Sequence, residues 1–338
     1  MKKNKQKTRF FSWIKGLFVK EKSSRLQIHG KLSDYEKEYR YEKLGEITLA
    51  YLETGSERKN VTCTLFLHGL TEDALNWFYS MEYILHHNKR SHLLALDLPG
   101  FGLTQIHQKD YHISIAGYAK LIKNFLAAKQ IEKINLVGHS LGGQTAAVFT
   151  YLYPQMVEKL VLVDSAGIRR FSNLASGTLS NAIFRPMSLT ENWLKKMSLM
   201  QWADLMMDKS LVGNERYFKK IMYKIAMEQK NSLTEIFIKR NFQKLGESSM
   251  DRINYIKQAT MAMLEKDSYI DDKLPYIKVP VLLIWGEGDK LVPLRYGQRG
   301  LELIAHDNKE LKVIKKSGHY SHLENPREFA KIIYKFIE

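Results

Sequence analysis

The chain contains one cysteine, Cys63, so no disulfide can form within it. A reducing compartment is compatible with that count and is not demanded by it. Cys63 falls in the apolar stretch "VTCTLFLHG" and is expected in the core rather than as a nucleophile. Runs of about 18 uncharged apolar residues are also missing, which excludes an evident membrane-spanning helix. No zinc-finger or RNA-recognition signature occurs, so nucleic acid is not an expected partner. No internal repeat and no low-complexity linker divides the 338 residues. Acidic residues are absent from residues 1–20, where seven Lys and Arg lie. The formal net charge is +16, so the remainder carries +9, which is expected as a solvated basic surface.

That acid-free start has its own pattern. In "KTRFFSWIKGLFVK", Phe10, Phe11, Trp13, Ile14, Leu17 and Phe18 share one helical face, with Lys and Arg around it. Lys15 interrupts the apolar stretch and no A-x-A site follows, which argues against a secretory signal. Residues 1–25 are expected as a basic amphipathic segment. Residues 9–20 would lie on an anionic membrane surface, each basic residue there adding about 1 kcal/mol. A helix packed on the main body and a disordered basic tail are the alternatives. The expected location is the membrane periphery on its cytoplasmic side, or the cytoplasm.

The length suits one large domain with an insertion, or two domains. Strands and helices alternate through the middle of the chain. "YRYEKLG" and "ITLAYLETG" look like a strand pair, and "VTCTLFLHG", "SHLLALDLPG", "KINLVGHS" and "KLVLVDSAG" like buried strands. Unbroken apolar strands belong to a parallel sheet covered on both faces. From 168 to 272 the strand rhythm stops and helical periods replace it. Ten of the thirteen methionines lie between Met187 and Met263. The α/β rhythm resumes with "VPVLLIWGEGD" and "ELKVIKK". The expected architecture is α/β: a mostly parallel central sheet covered by helices. Residues 40–167 and 273–338 form its two parts, with a helical cap inserted at 168–272.

The chemistry concentrates at "INLVGHSLGGQ". A G-x-S-x-G string between a strand and a helix is a nucleophile elbow, with Ser140 on a strained turn at a helix N-terminus. The base that activates such a serine should follow the last strand, and "SGHYSHLENP" supplies His319. His322 is the alternative. Asp289, at the end of the strand "VPVLLIWGEGD", is the expected orienting acid, and Asp164 the alternative. The backbone N–H groups of Leu70, in "FLHGL", and Leu141 are candidates for an oxyanion hole. His68 and Gly69 should shape that loop. His139, inside the elbow, is expected to be structural; all three are also candidate pocket residues. His86 and His87 lie in a helical period without partners at metal spacing, so no metal and no cofactor is expected.

Taken together, "HG", "DLPGFG", "GHSLGG", "GEGD" and "SGH" resemble the motifs of the α/β-hydrolase fold family, in family order from 68 to 319. Within it the chain is most similar to small bacterial lipases and monoacylglycerol-lipase-like serine hydrolases. The resemblance implies that His319 takes the Ser140 proton and Asp289 holds the imidazole. The Leu70 and Leu141 amides would stabilise the tetrahedral oxyanion, and water would then hydrolyse an acyl-enzyme. Thr104 departs from the serine often found there, which should alter loop contacts more than chemistry.

A serine nucleophile implies acyl chemistry, whereas dehalogenases and epoxide hydrolases of this fold use a carboxylate. Trp193, Leu194, Met197, Met200, Trp202, Leu205 and Met206 suggest an apolar stripe. Its Trp193, Met197 and Met200 would line an acyl pocket or form the cap's own core. The expected substrate is a medium- or long-chain acyl ester such as a monoacylglycerol. A small-ester esterase, a C–C hydrolase of ring-cleavage products and a non-catalytic binding form of the fold are the alternatives.

Overall fold

The computed structural model describes residues 38–55, 61–108, 110–168 and 214–338. The basic segment 1–25 therefore lies outside the described residues.

The sheet order is β1-β2-β4-β3-β6-β7-β8-β9. The strands are β1 (Arg40–Leu44), β2 (Ile47–Thr54), β3 (Cys63–Leu67), β4 (His92–Leu96), β6 (Ile134–His139), β7 (Val157–Val163), β8 (Val281–Gly286) and β9 (Lys309–Ile314). A short β5 (Gln105–Ile106) pairs with β2. β1, β2 and β4 pair antiparallel, and every pairing from β4 to β9 is parallel.

Period-two alternation splits the strand residues between two cores. Leu65, Leu67, Leu136, Leu160, Leu162, Leu283 and Trp285 face one side, with α2 (Ile115–Ala128) and α3 (Leu141–Leu152). Phe66, Val137, Val161, Val163, Leu282 and Ile284 face the other, against α1 (Phe78–His87) and α9 (Pro326–Ile337). Both faces are covered, which is why β3, β6 and β8 are buried along their whole length and largely apolar. Each Leu or Phe buried this way contributes roughly 1.5–3 kcal/mol.

Between β7 and β8 the chain forms α4 (Glu215–Ile225), α5 (Ser232–Gly246) and α6 (Met250–Leu264). Asn231 begins α5 with a capping box closed by Thr234. Phe218, Ile221, Met222, Phe237, Ile238 and Met263 pack into the same core as α2 and α3. Among the described methionines here, Met222, Met227 and Met263 are core residues, while Met250 and Met261 are exposed. α7 (Leu294–Leu303), α8 (Ser321–Glu324) and α9 follow the last strands.

Register aligns the strand ends. Leu67 pairs with both Leu96 and Gly138, His139 with Val163, and Val163 with Ile284. The loops that begin at His68, Asp97, Ser140, Asp164 and Glu287 therefore leave the sheet along one edge. Open parallel sheets bind ligands beyond that carboxyl edge. Among the described residues, no helix is long and apolar enough to cross a membrane.

Candidate active site

Ser140 joins β6 to α3 with φ 49° and ψ −113°. A non-glycine residue in that region carries about 1–3 kcal/mol of strain and persists only when its surroundings hold it. Here the Ser140 N–H donates to Val163 O at 2.9 Å. Its carbonyl accepts from Gln144 N at 3.0 Å and Ala166 N at 3.1 Å. The flanking glycines are required by contact. A Cβ on Gly142 would lie 2.3 Å from Leu67 O, and one on Gly138 would lie 2.2 Å from Gly142 O. Backbone meets backbone at both positions, leaving no side chain to move aside.

The last loop supplies an imidazole. His319 Nδ1 lies 2.7 Å from Asp289 Oδ2. The other Asp289 oxygen accepts from Leu291 N at 2.8 Å and Val292 N at 2.9 Å, which aims the carboxylate. His319 donates its backbone N–H to Ala226 O at 2.8 Å. Its carbonyl faces His139 Nε2 at 2.8 Å, and the two rings are 4.8 Å apart. The His319 loop is thus tied directly to the elbow.

Glu324 completes that attachment. One of its oxygens accepts from Gly318 N at 2.9 Å and Tyr320 N at 3.3 Å. The other accepts from Glu228 N at 2.5 Å and Gln229 N at 2.9 Å. Asn231 donates to the carbonyls of Leu323 and Glu324. The segment between α4 and α5 therefore grips the His319 loop.

Asp164 is buried nearby but is otherwise engaged. Its oxygens accept from Gly286 N at 2.7 Å and meet Ser321 Oγ at 2.6 Å. Burial first, and the Asp289 carboxylate second, push its carboxyl well above the usual range. Asp289, not Asp164, faces His319. His322 is stacked on Trp77, ring centres 4.8 Å apart, with Nε2 3.9 Å from Glu72 Oε2. Burial, then His139, pushes its imidazole well below the ordinary range.

The loop after β3 turns at Thr71, φ 64°. The N–H groups of Leu70 and Leu141 have no hydrogen-bond partner among the described residues. For Leu141 that follows from its place in the first helical turn. His68 is fully buried: its Nδ1 faces Gly69 O at 2.7 Å and its Nε2 accepts from Leu98 N at 3.0 Å. That pairing selects the neutral Nδ1–H tautomer. Burial, opposed by the hydrogen bond to Gly69, lowers its pKa to about 4. His139 is equally buried, so both imidazoles are turned into protein rather than toward an open pocket. Asp73 anchors the same loop to α5 through Arg240, at 2.5 Å, and Lys244. Thr104 makes loop contacts, accepting from Ala50 N at 2.9 Å and donating to Asp97 O at 2.5 Å.

Glu72, Glu324 and the Asp73–Arg240 pair were not singled out by the sequence pattern. A carboxylate three residues after "HG" and another in "HLENP" were the available signals. Glu72, His139 and His322 form the one cluster of ligand-type side chains among the described residues. His86 and His87 lie on α1, where His87 stacks on Tyr83 and meets the His86 ring edge to face. Trp193, Met197 and Met200 lie outside the described residues. A cleft of about 300 Å³ lies between Tyr111 and Tyr255, and a second of about 140 Å³ lies beside Arg252 and Gly102. Neither includes Ser140, Asp289 or His319.

A buried serine on a strained turn at a helix N-terminus, an imidazole tied to a carboxylate, and free peptide N–H groups on two loops are the parts acyl transfer needs. The alpha/beta hydrolase fold family matches residues 65–326. The chain belongs to this family. The sequence is 25% identical over 285 residues to a monoacylglycerol lipase of Homo sapiens, covering 81% of this chain and 74% of the relative. It is 27% identical over 299 residues to a 2-hydroxy-6-oxononadienedioate/2-hydroxy-6-oxononatrienedioate hydrolase of Paraburkholderia phymatum, covering 86% and 91%. The solved structure of a bacterial membrane phospholipase A superposes with a TM-score of 0.69 at 22% identity. It covers 88% of this chain and 85% of that one, a likeness of fold. Hydrolysis is the chemistry that the family match supports.

Proposed function

We propose that the protein is a serine hydrolase that cleaves carboxylic esters with medium or long acyl chains. The observation that carries this reading is the 2.7 Å contact of His319 Nδ1 with Asp289, on a loop bonded to the strained Ser140 elbow. Asp289 holds the imidazole so that Nε2 is free to accept the Ser140 proton. Ser140 Oγ then attacks the ester carbonyl, and the negative charge moves to its oxygen. The Leu70 and Leu141 N–H groups stabilise that oxyanion, each such donor typically contributing about 2.7–4 kcal/mol. The tetrahedral species collapses, the alcohol leaves with the proton from His319, and an acyl-Ser140 ester remains. Water, deprotonated by His319, releases the acid and restores the serine.

The lipid side of the reading draws on two supports. The human relative is named a monoacylglycerol lipase. Residues 9–20 have the pattern of an interfacial segment that would place the enzyme on an anionic membrane surface. The Met-rich insertion, with Trp193, Met197 and Met200, would cover the acyl chain.

The test is kcat/KM on p-nitrophenyl esters from acetate to palmitate, with Ser140→Ala as control. A rise toward eight or more carbons, abolished in the variant, is the expected result. A peak at acetate would defeat the lipid reading. The Paraburkholderia relative, aligned over most of its length, favours a second reading: hydrolysis of a C–C bond in a ring-cleavage product by the same residues. Turnover of a 2-hydroxy-6-oxodienoate faster than of any ester would establish it instead.

A further inference from the structure

Two buried histidines flank the site, and their partners differ in kind. His68 has one acceptor and one donor against its ring, which makes it neutral. His139 has an acceptor against each nitrogen. Nε2 faces the His319 carbonyl at 2.8 Å, and Nδ1 lies 2.6 Å from Glu72 Oε1. A carbonyl oxygen carries no proton, so Nε2 must supply one. The contact is not aligned as a hydrogen bond, yet a bare ring nitrogen and a bare carboxylate oxygen would repel at 2.6 Å, so the buried pair holds a proton of its own. Glu72 is held in place by Asn76 Nδ2, which donates to its other oxygen at 3.0 Å. Gly69 packs over the pair: a Cβ there would lie 2.6 Å from Glu72 Oε1 and 2.8 Å from His139 Nδ1.

We infer that His139 is a positioning residue: a buried imidazolium, paired with Glu72, whose Nε2–H fixes the His319 backbone and so sets the base against Ser140. This role rests on the assignment of His319 as the base; the protonation of His139 does not. The groups around His139 agree with one cation here. His322, from the loop after β9, is neutral, as is His68. Tyr320 is held neutral by burial. Asp289, after β8, adds a weaker favourable field. Burial opposes the charge on His139, and Glu72 outweighs it, leaving the imidazole above its ordinary range. Burial also opposes ionisation of Glu72, and His139 outweighs it, bringing the carboxyl to about 2. The sign follows from both shifts. The pair stabilises the fold above the ordinary carboxyl range, and the gain fades as pH rises through the raised imidazole pKa.

A cation other than the proton is the competing occupant. Two ligands bound tetrahedrally at zinc distances stand about 3.4 Å apart. The 2.6 Å contact is shorter, so the geometry favours the proton.

The deciding experiment uses the full-length chain, labelled with ¹⁵N-histidine, with the His139 signals assigned by His139→Asn. Both ring nitrogens of His139 should carry protons at pH 7.5, and Glu72→Gln should convert the ring to one protonated nitrogen. Elemental analysis of the same sample with added zinc should find no bound equivalent. In ester hydrolysis, Glu72→Gln should lower kcat about tenfold with KM nearly unchanged. Adding His139→Gln should recover most of that loss, since the Gln amide nitrogen lies where Nε2 was and no charge is left unpaired. A neutral His139 ring in the wild type, one equivalent of zinc lost with His139→Asn, or wild-type kcat in Glu72→Gln at every pH would overturn the proposal. If the wild type hydrolyses no ester and a fluorophosphonate fails to label Ser140, the serine-hydrolase reading falls. The nitrogen signals would still decide the state of His139.

Discussion

The elbow at 138–142 and the loop at 317–324 meet in one site but are built by different means. The elbow is local. Its strain, its helix N-terminus and its two crowded glycines lie within five residues of one another. The loop is held from a distance. His319 hangs from Ala226, and Glu324 binds the N–H groups of Glu228 and Gln229. Ser140 is thus placed by the chain's own turn, and the His319 imidazole by a segment that belongs to the helical insertion. A local device depends on residue type at fixed spacing; a distant one depends on the folded whole.

Breaking the local device should do the most damage. Gly142→Ala puts a methyl group against the carbonyls of Leu67 and His68, neither of which can move without disturbing β3. We expect kcat to fall by about 10³-fold or more and fluorophosphonate labelling of Ser140 to disappear, with the helical circular dichroism retained. Normal labelling of the variant would show that the elbow tolerates a shift the contacts forbid.

The distant device should fail more gently. Glu324→Ala frees four N–H groups and loosens the His319 loop while the elbow stays intact. A drop in kcat of about 10²-fold is expected, with Ser140 still folded into its turn. If Glu324→Ala left kcat unchanged, the loop would be fixed by Ala226, Asn231, Asp289 and His139 without it. Asp73→Ala probes the other link between the insertion and the core. It removes the anion that the half-buried Arg240 and Lys244 share. Unfolding in urea should show a loss of roughly 3 kcal/mol. Thr104→Ser is the smallest perturbation, because a serine hydroxyl can keep both of the contacts made here. Stability and kcat should stay within about 0.5 kcal/mol of the wild type.

The same contrast explains what the sequence disclosed. The elbow was legible because its requirements are short-range: an apolar strand, a glycine on each side, a helix after it. Asp289 and His319 were legible because each follows a strand at the carboxyl edge. The insertion was visible as a change of rhythm, though its packing was not. Glu72 and Glu324 were opaque, since key partners lie far away in the chain, and His322 was read only as the alternative base, not as a ring stacked on Trp77. His139 and the His319 carbonyl are 180 residues apart, and Asp73 and Arg240 are 167 apart. No periodicity encodes such pairs. His139 was read as structural, and only its two acceptors reveal that the structure includes a charge.

The grip of residues 226–231 on the His319 loop also limits how the protein can be recombined. A designer who wished to change substrate preference would exchange the helical stretch between β7 and β8 for that of a relative. The obvious seams are the strand ends, Val163 and Val281. A graft cut there would discard Ala226, Glu228, Gln229 and Asn231, and with them the peptide groups on which His319 rests. The transplant would carry a new roof and lose a wall.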